Sequence, residues 1–207
     1  MTPPRPPADL DALREGLLEH ARRIVARDGV AGLTMRALAT EAGSAVGLSY
    51  KAFASRDDLL AQLAGRAIDE LSAQLDEWAA TPGGRVEDRL REFAELVLSS
   101  DAPSIVAQLP GGTGAEGPLR EAFDRGSARE WDRLLADFLA ERRAAGELAP
   151  DVDPEAYAFL IAGALHNLIA SGGAWRRPDR AVIERHLAAV AGHLAADRSA
   201  VGDTARG

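Results

Sequence analysis

Leu10, Leu13, Leu17, Ala21 and Ile24 recur every three or four residues, and the same period returns in nearly every later segment of the chain. That spacing gathers apolar groups on one face of an α-helix and would scatter them over both faces of a strand. It continues through Leu59, Leu63, Ala67, Leu71, Leu75 and Trp78, then through Val86, Leu90, Phe93 and Val97. Leu119, Phe123, Trp131, Leu134 and Phe138 carry it further, and Ile183, Leu187, Val190 and Leu194 carry it to the end. Composition agrees: alanine and leucine dominate and aromatic residues make up only 5%, a mixture that loses little freedom in a helix. The expected fold class is all-α, with about nine helices.

Punctuation divides these stripes. Asp28-Gly29 ends the first, Gly43 forms a turn, and Thr81-Pro82-Gly83-Gly84 closes a long helix that Ser55 can cap. Thr34 reads as an N-cap, and Asp153-Pro154 as a cap followed by proline at the first helical position. Residues 1–8, rich in proline and carrying Arg5, are expected to form a flexible arm, and residues 199–207 a disordered tail. A Gly-rich loop is expected over 110–117, and Gly126 can bend the helix it sits in.

Several function classes are disfavoured at once. The chain has no cysteine, so it offers neither a disulfide framework nor a thiolate for a metal or a nucleophile. Its first residues lack the apolar core of a secretory signal, which predicts a cytoplasmic protein. Residues 156–175 contain no charge, long enough in principle for a membrane span. His166, Asn167, Ser171 and three glycines interrupt them, which favours a helix covered in a soluble assembly. The net charge is −8, yet residues 1–60 carry eight basic and eight acidic groups and the remainder 16 and 24. Only the N-terminal quarter is therefore approachable by an anionic polymer.

The informative segment is 33–60, LTMRALATEAGSAVGLSYKAFASRDDLL. Two short helices with a glycine turn cross closely when small residues meet, and Ala39 and Gly43 supply that pairing. Leu38, Ala42 and Val46 are expected in the local core, with Phe53 pinning the next loop. Ala45, Gly47, Ser49, Tyr50 and Lys51 are then the exposed positions of the second helix, the surface a DNA major groove would meet. Lys51 is the only lysine in the chain. Thr34 caps a helix whose first amides suit a phosphate, with Arg36 one turn in and Arg56 as a further cation.

This run resembles the DNA-binding signature of TetR-family regulators. There a Thr-led helix and an Ala-Gly turn precede Gly-x-x-Tyr-x-x-Phe and Ser-(Lys/Arg)-(Asp/Glu)-x-Leu. The present chain has Thr34, Ala42-Gly43, Gly47, Tyr50, Phe53 and Ser55-Arg56-Asp57-Asp58-Leu59 at matching spacing. It departs at Ser44-Ala45, where an apolar residue then serine is usual, at Ala52 in place of a frequent histidine, and at Arg56 in place of lysine. The resemblance implies an N-terminal three-helix bundle with a helix-turn-helix over 9–56. A larger helical dimerisation and effector-binding domain follows over 57–198. It implies a repressor, not an enzyme, that grips palindromic double-stranded operator DNA as a homodimer and is released by a small-molecule effector. The implied DNA-contacting set is Thr34, Arg36, Ser44, Ala45, Val46, Gly47, Ser49, Tyr50, Lys51 and Arg56. The last two helices would pair with their symmetry mates as a four-helix bundle, through Ala162, Gly163, His166, Ile183, Leu187, Val190 and Leu194. Effector binding would change the spacing of the two reading helices.

Other signals carry less. Gly112-x-Gly114-x-x-Gly117, preceded by the apolar run Ser104 to Leu109, fits a dinucleotide fingerprint, but the sequence after it reads as helical and offers no second strand. His186 and His193 share a helix face without a third convergent ligand, so no metal or other cofactor is expected; His20 reads as a surface residue. His166 and Asn167, polar within an apolar helix, need partners. Either they bond across a dimer, which is favoured, or they line an effector cavity with Phe93, Val97, Leu109, Phe123, Trp131 and Phe159. An all-α ligand-binding protein without DNA binding is the main alternative, and a helical enzyme using that cavity the next.

Overall fold

The computed structural model describes residues 7–106, 108–109, 131–170 and 178–195. All of the regular secondary structure in them is helical: α1 Pro7–Gly32, α2 Met35–Glu41, α3 Val46–Ala52, α4 Arg56–Ala80, α5 Val86–Ser99, α6 Ala102–Val106, α7 Trp131–Ala144, α8 Pro154–Ala170 and α9 Arg180–Leu194. Phe123, Gly126, the 110–117 loop and the expected tail lie outside the described residues. Among these no helix is long and apolar enough to cross a membrane.

The capping signals are realised as hydrogen bonds. Thr34 Oγ1 accepts from the Ala37 amide at 3.0 Å and opens α2. Ser55 Oγ accepts from the Asp58 amide while Asp58 Oδ2 accepts from the Ala54 amide. The first bond satisfies a donor that a helix start leaves orphaned, and the second ties the residue before the cap to the first turn. Asp153 Oδ1 receives the Glu155 and Ala156 amides ahead of α8, and Asp179 Oδ1 receives that of Val182 ahead of α9. Helix α1 begins at Pro7, so part of the expected arm is helical. Gly29 interrupts it at φ 71°, the left-handed conformation that glycine reaches without steric cost.

The chain forms two compact units. The first comprises residues 1–70 and 101–127, the second 71–100 and 128–207; α4 therefore starts in one and finishes in the other. In the first, α2 packs on α3 and both pack on α1. Ile24, Leu33, Leu38, Phe53, Leu59 and Leu60 are fully buried between them, and Ile105 of α6 joins the same cluster.

In the second unit α7 packs along α8, and α5 packs against both α8 and α9. Its centre is aromatic. Trp78 lies 5.1 Å from Phe93 and 5.0 Å from Phe138, ring to ring, at tilted angles. Two arginines extend the stack, Arg89 with its guanidinium carbon 4.6 Å from the Trp78 ring and Arg142 at 5.0 Å from Phe138. Arg89 is buried; it donates to the Trp78 carbonyl and, at 2.7 Å, to Glu92, while the Trp78 indole donates back to the Arg89 carbonyl. Arg142 holds the Pro-Gly-Gly turn by donating to the carbonyls of Gly83 and Gly84. Helices α4, α5 and α7 are thus tied through side chains that are both packed and hydrogen-bonded.

Replacing Arg89 by alanine removes a stacked cation and strips a buried carbonyl of its donor. Urea unfolding is expected to show a loss of about 2–4 kcal/mol, with Arg89→Met recovering the packing part. A variant as stable as the parent would show that the stack is ornamental.

Candidate nucleic-acid interface

The turn between α2 and α3 is built on Gly43, at φ 59°. The Gly43 amide donates to the Thr40 carbonyl and the Ser44 amide to that of Ala39, the paired bonds of a Schellman helix ending. Ala39 is buried at the crossing, where a larger side chain would push the helices apart. Phe53 is buried beneath the end of α3. The segment is a helix-turn-helix, with α2 as its first helix and α3 as its reading helix.

The outward face of α3 differs in part from the sequence expectation. Tyr50 is 56% exposed, and Ala45, Gly47 and Lys51 are exposed with it. Ser49, expected outside, is wholly buried, and its hydroxyl has no partner. One step along a seven-residue helix turns a side chain by roughly 100°, enough to carry Ser49 from the groove side to the core side. Val46, expected in the core, is instead 38% exposed. The Ser44 hydroxyl is enclosed without a partner, and the N-cap of α3 is Ala45, with no side-chain cap. Ser44 and Ser49 therefore offer no accessible hydroxyl to DNA.

Arg56 is also spent elsewhere. Its guanidinium donates at 2.7 Å to the Leu33 carbonyl and at 3.0 Å to that of Val30. The two carbonyls lie just beyond the Gly29 break, at the end of α1 and in the link to α2, and that of Val30 also receives the Leu33 amide at 3.2 Å. The other arginines of 7–70, Arg36 excepted, are equally committed. Arg14 donates to the Ala52 carbonyl and Asp11, Arg22 pairs with Glu70, and Arg23 and Arg27 share Glu41. Arg66 gathers Glu15, Glu19 and Glu70. The hydrogen bond from Arg27 holds the Glu41 carboxyl below its ordinary range against a smaller opposing effect of burial, with the charges of Arg27 and Arg23 assisting. Arg36 and Lys51 alone among the basic side chains of 7–70 have no partner among the described residues. One lies on α2 and one on α3.

The expected effector set is not brought together. Phe93 and Val97 are fully buried in the core of the second unit, with Trp131 packed on that core, whereas Leu109 is buried in the core of the first. Phe159 is 67% exposed, so it faces outward from α8 and does not line an interior cavity. A groove of about 320 Å³ does exist between α5 and α9. Ala94, Leu98, Ile183 and Leu187 give it an apolar lining, and at its rim Arg180 bridges Glu184 and Glu95. The hydrogen bond to Glu184 and the charge of Glu95 raise the pKa of Arg180.

The expected interface residues divide as well. Leu187 and Leu194 are buried in the chain's own core, Ile183 and Val190 pack against it, and Ala162 points inward. Gly163 and His166 are exposed. An apolar stripe reports only what a helix buries, and here the core of the same chain takes most of it. The outward face of α8 is another set, which periodicity alone does not single out: Phe159, Leu160 at 62% exposure, Gly163, Ala164 and Asn167.

A helix-turn-helix with its free cations on both helices defines a DNA-binding protein class. Residues 17–63 match the model of bacterial regulatory proteins of the tetR family, and residues 111–190 match that of tetracyclin repressor-like C-terminal domains. The chain belongs to the TetR family of DNA-binding transcriptional regulators. No curated protein matches it. Among solved structures it is similar to a TetR-family transcriptional regulator from Pectobacterium atrosepticum, at 24% identity and TM-score 0.62, covering 94% of this chain and 100% of that one. A putative transcriptional regulator from Saccharomonospora viridis, solved in complex with choline, aligns at 20% identity and TM-score 0.69 over 91% and 100%. A ketosteroid transcriptional regulator of Mycobacterium tuberculosis aligns at 22% and 0.60 over 89% and 95%. These likenesses show a shared fold.

The arginine assignments separate in a melting experiment. Arg56→Ala removes the guanidinium that donates to the Leu33 and Val30 carbonyls, of which only the second keeps a backbone donor, and is expected to cost about 1–3 kcal/mol of stability. Arg36→Ala and Lys51→Ala, on the exposed surface, are expected to stay within about 0.5 kcal/mol of the parent. Equal melting temperatures for all three variants would contradict the assignment of Arg56 to the fold.

Proposed function

We propose that the chain is a homodimeric repressor that holds a palindromic operator through two copies of α3 and releases it when a small, largely apolar molecule binds. The observation that carries this reading is the location of the partnerless cations. The chain as a whole is acidic, and every other basic group of 7–70 is already engaged. Arg36 and Lys51 remain, on the two helices of the motif, where phosphates flank a major groove. Tyr50 stands beside Lys51 with a hydroxyl free to hydrogen-bond phosphate or base. Thr34, Arg36, Ala45, Val46, Gly47, Tyr50 and Lys51 form the proposed contact surface.

The proposed organisation has a helix-turn-helix domain over 9–56 and a dimerisation and effector domain over 57–198, in a cytoplasmic protein without enzymatic activity. The partner surface is the outward face of α8. Phe159 and Leu160 are too exposed there for an isolated soluble chain to bury them by itself, and Gly163 and Ala164 permit close helix approach. His166 and Asn167 stand on or beside that face, where a second copy can supply their hydrogen-bond partners. For the effector, the apolar groove between α5 and α9 is the candidate site, with the Arg180–Glu95 bridge as the contact a ligand would disturb.

Each released phosphate counterion steepens the salt dependence of binding. Two cations per protomer, doubled by the dimer, contribute about −3.6 to the slope of log affinity against log salt. A salt titration of the Arg36→Ala/Lys51→Ala double variant is expected to flatten the parent slope by that amount, with Tyr50→Ala weakening binding at every salt concentration. If the parent forms no complex with any selected DNA, a ligand-binding protein without DNA binding is the better reading.

Dimerisation is tested separately. Phe159→Asp places two charges at the proposed two-fold contact and is expected to yield monomers by sedimentation, with helicity retained. A dimer of unchanged strength would place the interface elsewhere.

A further inference from the structure

We infer that the reading helix recognises thymine through its C5-methyl group, so that the centre of each operator half-site is defined by A·T pairs met through apolar contact. This inference rests on the reading of the chain as an operator-binding regulator. In a helix-turn-helix the N-terminal residues of the second helix reach the base edges, while the first helix crosses the sugar-phosphate backbone. Here those residues are Ala45, Val46 and Gly47, all exposed. None carries a hydrogen-bonding side chain.

The two hydroxyls near enough to substitute for one are withdrawn. The Ser44 and Ser49 oxygens are enclosed by protein, and Ser49 has no exposed surface at all. Arg36 sits on the backbone-crossing helix, and Lys51 and Tyr50 at the far end of α3. The fork that reads guanine through arginine, or adenine through asparagine or glutamine, is therefore missing from the base-facing part of α3. What remains in the major groove to distinguish one pair from another by apolar contact is the thymine methyl, the only methyl group any pair presents there. Val46, 38% exposed, presents its two methyl groups at that position. Gly47 beside it leaves the surface open: a Cβ built there meets nothing within 4 Å. The backbone of α3 can thus approach the base edges closely.

The test uses the full-length protein and DNA fragments selected by it from a random pool. Thymines in the selected half-site are replaced one position at a time, in both half-sites, by deoxyuridine, which differs only in lacking the methyl. At the contacted position affinity is expected to fall about fourfold per half-site and about fifteenfold for the two, the effect of one methyl leaving an apolar contact. In the Val46→Ala variant thymine and deoxyuridine are expected to bind alike at that position. Gly47→Ala is expected to melt no lower than the parent, since alanine favours a helix and has room, yet to bind the fragment less tightly. Selected fragments indifferent to deoxyuridine at every position, or a thymine preference unchanged in Val46→Ala, would overturn this inference while leaving DNA binding intact. Selection of no fragment would overturn the parent reading and this one together.

Discussion

The hydrogen bonds from Arg56 to the carbonyls of Val30 and Leu33 hold the N-terminal unit to its function. The Gly29 break ends the regular part of α1, and the Val30 and Leu33 carbonyls follow it, the first also accepting the Leu33 amide. A guanidinium arriving from the first turn of α4 satisfies both. It thereby fixes α4 against the segment that leads into α2, whose cap, Thr34, follows Leu33 directly. The same two bonds draw a conspicuous cation off the surface. Structure and electrostatics are coupled in one side chain, because a charge used to close a helix junction is no longer free to meet phosphate.

How far this could be read from residues alone depended on whether a residue's role is local. Thr34, Ser55, Asp153 and Asp179 cap the helices they precede, since capping involves only the next three residues. Gly43 and Ala39 follow from the geometry of a tight helix crossing, which allows little else at those places. Leu38 and Phe53 are buried as their spacing requires. Thr34, Arg36, Tyr50 and Lys51 stand where the motif puts them. The failures arise from long-range partners and from a helix too short to fix its own rotation. Arg56 was legible as a cation, but its partners lie 23 and 26 residues earlier in the chain. Ser49 and Val46 exchanged sides because a two-turn helix holds too few residues for a period to fix its rotation. Ile183, Leu187, Val190 and Leu194 form a correct stripe, yet a stripe does not say whether the surface it meets belongs to the same chain or to a second copy.

The second unit shows how an aromatic-poor chain still builds a specific core. Only three tryptophans and five phenylalanines are available, and Trp78, Phe93 and Phe138 are brought to one point. Arg89 and Arg142 then flank the rings, and each also donates to backbone carbonyls. The cost of burying Arg89 is offset in part, since two of its nitrogens have acceptors and its flat face rests on an indole while Nε is left without a partner. The link runs through the end of α4, and α4 is the helix whose beginning carries Arg56.

For the proposed operator complex this sparing use of charge has a consequence. A protomer whose residues 7–70 offer two free cations and an apolar reading surface has little electrostatic attraction to DNA in that segment, and its acidic remainder opposes approach. Affinity then depends on both protomers engaging at once, each raising the effective concentration of the other. Such a complex is sensitive to geometry in a way a strongly basic protein is not. A shift that prevents one α3 from seating removes half of a small set of contacts, and no diffuse attraction compensates. Low charge is in this sense compatible with release by a ligand of modest binding energy, since the ligand needs only to favour the unmatched spacing over the matched one.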